Sequence, residues 1–307
     1  MSRAKNIAGA ILALAVMGLV LYLYGRDLAS IDFTRPALLR GLAGAAALYV
    51  IVVVLGALAW RVLLKAFGAT PARWAAERQL LISQIGKYIP GNVAQYVGRA
   101  AMAIGAGTPA KVVGISIVAE TALIVVGGLL SVAISIAIAP QQAAHVVRLL
   151  PDLSTLSWIL VAIAAFACTL VAIHAASNRF SALNTLPVAR WRWLAIAVLI
   201  YTGALLLLGL SLFVIANAIA SVPLSLAVAV FAAAWIAGLA TPGAPGGLGI
   251  RESVITLGLA PVMGGSAALT AALLHRGASV LGDVISFGLG LILPTPEQSI
   301  AEPGERI

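Results

Sequence analysis

Seven ionisable residues stand within or beside long apolar stretches of this 307-residue chain: Lys87, Arg99, Glu120, Arg251, Glu252, Arg276 and Asp283. A charge at the centre of a bilayer costs about 2.5–3.5 kcal/mol on insertion scales, so such residues face the protein interior and find partners. The plain reading is a set of buried ion pairs that hold helices together. The set also has four cations against three carboxylates. A phosphate group suits that surplus, because Arg binds it as a bidentate fork and Lys as a point charge. Gly91, Gly246 and Gly247 would let backbone approach such a group. Asn92 could cap a short helix whose first N–H groups face it. The expected binding set is therefore Lys87, Asn92, Arg99, Gly246, Gly247, Arg251 and Arg276. Glu120, Glu252 and Asp283 would balance the charge or exchange protons.

The elements that must hold these residues follow from composition. Hydrophobic residues make up 62% of the chain and charged residues 9%, with a mean hydropathy of +1.09. A soluble domain carries roughly a quarter charged residues, so a water-compatible surface is out of reach. The chain reads as all-α, a polytopic membrane helix bundle forming one domain over 1–307. Stretches near 6–24, 37–60, 112–138, 156–176, 194–219, 224–240 and 266–293 each approach the roughly 20 residues needed to cross. Arg3 and Lys5 precede the first, and no small-residue cleavage site follows it, so it is expected to be retained. Basic residues crowd segments 61–111 and 177–192, on the side of Arg3 and Lys5. That bias places the N-terminus in the cytoplasm and the chain in the cytoplasmic membrane. It also makes the net charge of +9 a topology signal, with no nucleic-acid partner expected. The single cysteine, Cys168, excludes an internal disulfide and a cysteine metal site.

Two segments are too apolar for plain loops and too broken for helices: 83–99, with Pro90-Gly91, and 241–261, with Pro242-Gly243 and Pro245-Gly246-Gly247. Broken backbone at membrane depth is tolerated only inside protein or along a wet cavity. Both segments read as re-entrant half-helix elements. Arg99 follows Pro90 by nine positions, and Arg251 follows Pro242 by nine. Broken segments at matching places in two halves point to a transporter's binding site through an internal repeat; chance recurrence of Pro-Gly turns is the alternative. Both breaks fall on the cytoplasmic side, so the repeat is parallel or the span count is off by one.

Around these residues the depths can be estimated. Glu120 lies nine positions after Lys111, about 13 Å deeper at 1.5 Å per residue. Arg276 and Asp283 share a helix face about 10 Å apart, so each needs a partner on another helix. Glu120 and Glu252 are candidates for Arg276; Lys87, Arg99 and Arg251 are candidates for Asp283. His275 reads as a packed residue. Gln84 and Gln95 either line a polar path or bond neighbouring helices. The tryptophans, including Trp60 beside Arg61, read mostly as interface markers. Segment 72–86 reads as an amphipathic helix along the cytoplasmic surface. Gly41, Gly44, Gly127 and Gly128 could serve close helix contacts within the chain or in an oligomer.

At Lys87-Tyr88-Ile89-Pro90-Gly91-Asn92, Gly98-Arg99-Ala100, Pro245-Gly246-Gly247-Leu248-Gly249-Ile250-Arg251-Glu252 and Arg276 the chain resembles the membrane domain of lysylphosphatidylglycerol synthases and the stand-alone flippase-like proteins related to it. The resemblance spans nearly the whole chain. It departs at Thr121, where the family tends to place an arginine after the glutamate, and this leaves Glu120 without an obvious partner. The resemblance implies movement across the membrane of a phosphate-bearing lipid, whether anionic, aminoacylated or polyprenyl-phosphate-linked. The chain ends at Ile307, so the synthases' aminoacyltransferase is expected to be absent and the chain is expected not to be an enzyme. No zinc-protease, paired-aspartate or P-loop motif is present, and no metal or cofactor is expected. Two alternatives stay open. One is a membrane-embedded transferase acting on a polyprenyl-phosphate sugar, with Glu120 or Asp283 as base. The other is a non-catalytic partner of such a glycosyltransferase or synthase.

Overall fold

The apolar runs fold into helices, and proline and glycine decide where each begins and ends. The computed structural model describes residues 34–89, 93–140, 188–241 and 245–294. The spans expected near 6–24 and 156–176, and Asn92, lie outside the described residues. Among the described residues there are eight α-helices and no strand. They are α1 (Pro36–Ala66), α2 (Ala75–Ser83), α3 (Ala94–Gly105), α4 (Ala110–Ile138), α5 (Val188–Ile219), α6 (Leu224–Ala240), α7 (Ile250–Met263) and α8 (Gly265–Ile292). Pro36 opens α1, and Pro109 and Pro223 directly precede α4 and α6. Proline suits these places because the first helical N–H groups have no intrahelical partner.

Four helices are long and apolar enough to cross a membrane: α1, α4, α5 from Trp191, and α8. The fifth expected span within the described residues, α6, is a shorter apolar helix of 17 residues. The chain is thus a multi-pass helical membrane protein. α1 runs against α5, and α4 and α6 pack on α5 beside it. α8 closes the bundle against α1 and α7.

In the two broken segments, residues 90–92 and 242–244, with Pro90-Gly91 and Pro242-Gly243, lie outside the described residues, and the parts beside them are helix ends and turns. In the first, α2 passes into a 3-10 turn over Gln84–Tyr88, then Ile89 is extended and α3 follows. In the second, Thr241 is extended, and Gly246, Gly247 and Gly249 turn the chain into α7 with φ of 57°, 71° and 85°. These left-handed values favour glycine. α7 runs on to Met263, past the expected boundary at 261, with Pro261 in its last turn. The 3-10 turn Gln84–Tyr88 touches a second one, Pro245–Gly247.

One expectation needs correction. Segment 72–86 does not form a helix lying on the surface: α2 packs against α1 and α8, with Ala76, Leu80 and Leu81 buried. Its polar residues turn inward because they have partners. Glu77 binds Arg61 at 2.5 and 2.6 Å, and Gln79 accepts from Trp60 Nε1 at 3.0 Å. Trp60 is accordingly fully buried, rather than set at the membrane interface.

Close approach between helices relies on glycine. Lipid tails are as apolar as leucine, so membrane helices associate through packing rather than through a hydrophobic driving force. Gly41 and Gly44 lie against α5 at Val214, Gly127 against Thr202 backbone, and Gly128 against Ile236, all within this chain. At Gly209 an added Cβ would stand 2.5 Å from Val228 Cα, whereas at Gly203 nothing lies within 4 Å. Overpacking costs about 1–3 kcal/mol, more than the roughly 1 kcal/mol that alanine gains over glycine in a helix. Gly209→Ala should therefore lower the midpoint of thermal unfolding in detergent, while Gly203→Ala should hold or raise it.

Candidate functional site

The turns and the helices they join bring the seven charged residues into one region as three ion pairs and one cation left over. In the first pair, Arg99 on α3 meets Glu120 on α4 as a fork. Nη1 donates to Oε1 at 3.0 Å and Nη2 donates to Oε2. The guanidinium lies 4.3 Å from the Trp60 ring centre, and Gln79 fixes that indole from behind. Glu120 therefore has its partner on the preceding short helix, not on its own helix and not on Arg276. Thr121, next in the chain, bonds the Ile117 carbonyl at 3.0 Å.

The second pair joins Lys87, on the first 3-10 turn, to Asp283 on α8 at 2.6 Å. Two tyrosines complete it. Tyr49 donates to Asp283 Oδ1 at 3.2 Å and accepts from Lys87 Nζ at 2.6 Å. Tyr88 donates to Asp283 Oδ2 at 2.5 Å. Asp283 is 0% exposed. A carboxylate sealed from water needs several donors to offset its desolvation, and it has three here.

The third pair is looser. Arg276 on α8 donates to the Gly246 carbonyl at 3.0 Å and stands 3.7 Å from Glu252 Oε1. Glu252 also accepts the Gly249 N–H at 2.7 Å, capping α7 at its start. A carboxylate there is favoured by the helix dipole. Arg276 thus ties the second broken segment to the last span.

Arg251 is the residue left over. Among the described residues no carboxylate lies within 4.0 Å of it. Its guanidinium stacks on Trp235 at 3.7 Å from the ring centre. Nε is buried with no hydrogen-bond partner among the described residues. Gly247 and Gly238 make room for the side chain: a Cβ on Gly247 would stand 2.8 Å from Nε, and one on Gly238 2.9 Å from Cγ. A Cβ on Gly246 would stand 3.2 Å from Arg276 Nη2. Gly246 and Gly247, expected to admit a ligand, serve first to seat two arginines.

Arg251 faces a cavity of about 80 Å³ whose wall also includes Lys87, Arg99, Glu120, Gly246 and Trp235. Gln84 and Gln95 line it too, so they border a polar space as one of their two readings had it. His275 is packed away, 2.6 Å from Ser211 and 4.9 Å from the Phe231 ring centre. Tyr49, Tyr88, Trp60, Trp235 and Gln79 complete the site and were not singled out for it from sequence. Trp235 did carry a signal: it lies mid-helix in α6, away from either expected interface.

An all-helical multi-pass bundle with charged residues gathered at broken segments defines a polytopic membrane protein with an internal polar site. The family model for the lysylphosphatidylglycerol synthase TM region matches residues 6–286, and the chain belongs to that family. No curated protein matches it.

The Arg99–Glu120 fork makes a double-mutant test direct. Removing one partner of a buried pair strands the other charge, which typically costs about 3–5 kcal/mol. Glu120→Gln and Arg99→Gln should each lower thermal stability sharply. The double variant should be more stable than the sum of the two losses predicts, as measured by unfolding in matched detergent.

Proposed function

We propose that this chain moves a phosphate-bearing lipid across the cytoplasmic membrane, with Arg251 as the cation that takes the headgroup. The observation that carries this reading is the Arg251 guanidinium, with no carboxylate within 4.0 Å among the described residues, beside a polar cavity. A charge held in low dielectric without a counter-ion is costly, and an arriving phosphate would relieve that cost. Stacking on Trp235 uses the face of the guanidinium, and in-plane N–H groups remain for a phosphate. Lys87 and Arg99 add positive potential from the cavity wall, while Glu120, Glu252 and Asp283 balance the cations. Membership of a lipid-synthase membrane family supports a lipid as the cargo.

In this reading the two broken segments dip into the membrane from the cytoplasmic side of a seven-span bundle with a cytoplasmic N-terminus. They set their turns where the headgroup crosses. The occupied oxygens of Glu120 and Asp283 favour transport over a transferase that would use either as base. The fork from Arg99 engages both Glu120 oxygens, and Asp283, sealed from water, holds three donors, so each carboxylate is held as a charged partner rather than as a free base.

A charge-assisted hydrogen bond contributes about 1.5–3 kcal/mol, or roughly 10- to 100-fold in binding. Arg251→Gln should therefore slow leaflet-to-leaflet transfer of a phosphate lipid in reconstituted vesicles by at least tenfold while the protein stays folded. Arg276→Gln should slow it too, by freeing the Gly246 turn. Transfer at the unaltered rate by both variants would remove the phosphate site, and a covalently altered lipid in the product would point to a transferase.

A further inference from the structure

A second chamber lies directly behind the first. It also measures about 80 Å³, and its wall is mostly apolar: Val52, Val53, Leu80, Ala204, Leu205 and Leu208 contribute to it. Two helices build it by simple periodicity. Tyr49, Val52, Val53 and Gly56 form one stripe of α1, and Tyr201, Ala204, Leu205 and Leu208 form one stripe of α5, at the spacing that puts side chains on one helix face. Gln84, Glu120, Ile124 and Trp235 belong to the walls of both chambers. The two spaces are therefore neighbours across one shared partition, polar on the Arg251 side and apolar on the other.

We propose that the apolar chamber holds a hydrocarbon chain of the same lipid whose phosphate meets Arg251. The substrate is then a bent amphiphile that folds around Trp235, and the two stripes of α1 and α5 select its chain. This rests on the phosphate-lipid reading above. The sizes agree: a cavity needs about 10–15 Å³ by this measure for each water-sized group. Each chamber of about 80 Å³ thus admits roughly six such groups. That suits a phosphate on one side and a short run of methylenes on the other.

The balance of forces assigns the chamber a role in selectivity. A chain that leaves the bilayer for a protein pocket gains little, because lipid tails are already apolar surroundings. Attraction comes from the headgroup. The chamber discriminates by shape, excluding chains that do not fit and any lipid whose chain has nowhere to go.

Gly56 offers a way to fill the space. An added Cβ there would meet only Leu80, at 3.9 Å, and Gly56 stands in the chamber wall, so a larger side chain grown from it takes up that space. The full chain in detergent is titrated with two probes, dioleoyl-phosphatidylglycerol and glycerol 3-phosphate, and binding is read by thermal shift and native mass spectrometry. Gly56→Leu should weaken the lipid at least tenfold and leave glycerol 3-phosphate within twofold. Ala204→Leu, on the opposite wall, should do the same and serves if the first variant fails to fold. Arg251→Gln should weaken both probes. Lipid binding unchanged in both chamber-filling variants overturns the chain site, whatever Arg251→Gln does. Both probes bound unchanged by Arg251→Gln removes the phosphate reading instead.

Discussion

An ionised side chain inside hydrocarbon must find a counter-charge, and this requirement organises the structure around the site. Four cations and three carboxylates enter the same region. Each carboxylate is taken by a cation from a different helix or turn, so pairing and packing are one event. The fork between Arg99 and Glu120 draws α3 against α4, Lys87 and Asp283 draw the first turn against α8, and Arg276 holds the second turn through Gly246. The arithmetic leaves one cation without a carboxylate. That residue, Arg251, is stacked on an indole beside the polar cavity.

The two halves use related parts with the charges exchanged. In each, a broken segment leads into a short helix and then a long span: α3 into α4, and α7 into α8. In the first half the short helix supplies the arginine, Arg99, and the span supplies Glu120. In the second the short helix supplies Glu252 and the span supplies Arg276. Arg99 and Arg251, each nine positions after a proline, consequently do different work. One is saturated by a carboxylate and structural. The other has no carboxylate within 4.0 Å among the described residues, because the glutamate beside it, Glu252, points to the helix start and to Arg276.

Aromatic residues do in the interior what water does for exposed cations. Trp60 lies under Arg99, Trp235 under Arg251, and the Tyr88 ring stands 5.6 Å from Arg276. A ring face attracts a cation without competing for its in-plane donors, so Arg99 keeps its fork for a carboxylate and Arg276 its donors for a carbonyl. Of these rings, Trp235 stands in the wall of both chambers, which suits an indole with one polar edge and a large apolar face.

Composition alone determined the class of the protein, because a chain with so few charges has no water-compatible fold. Among the described residues hydropathy located the five expected apolar helices to within about two turns, and Pro and Gly marked where helices begin and end, since backbone chemistry acts locally. The charged residues of the site were legible for the same reason: each is an expensive exception in an apolar run. What stayed hidden is whatever depends on which way a helix faces. α1 and α5 are apolar all round, so no periodicity separated the stripe that lines a chamber from the face that meets lipid. The inward turn of α2 was equally hidden, because its polar residues look solvent-facing until Arg61 and Trp60 are brought to them from α1. Which glutamate pairs with which arginine was decided by tertiary structure. Pairing depends on distance in space, and the chain's order does not encode distance between residues on different helices.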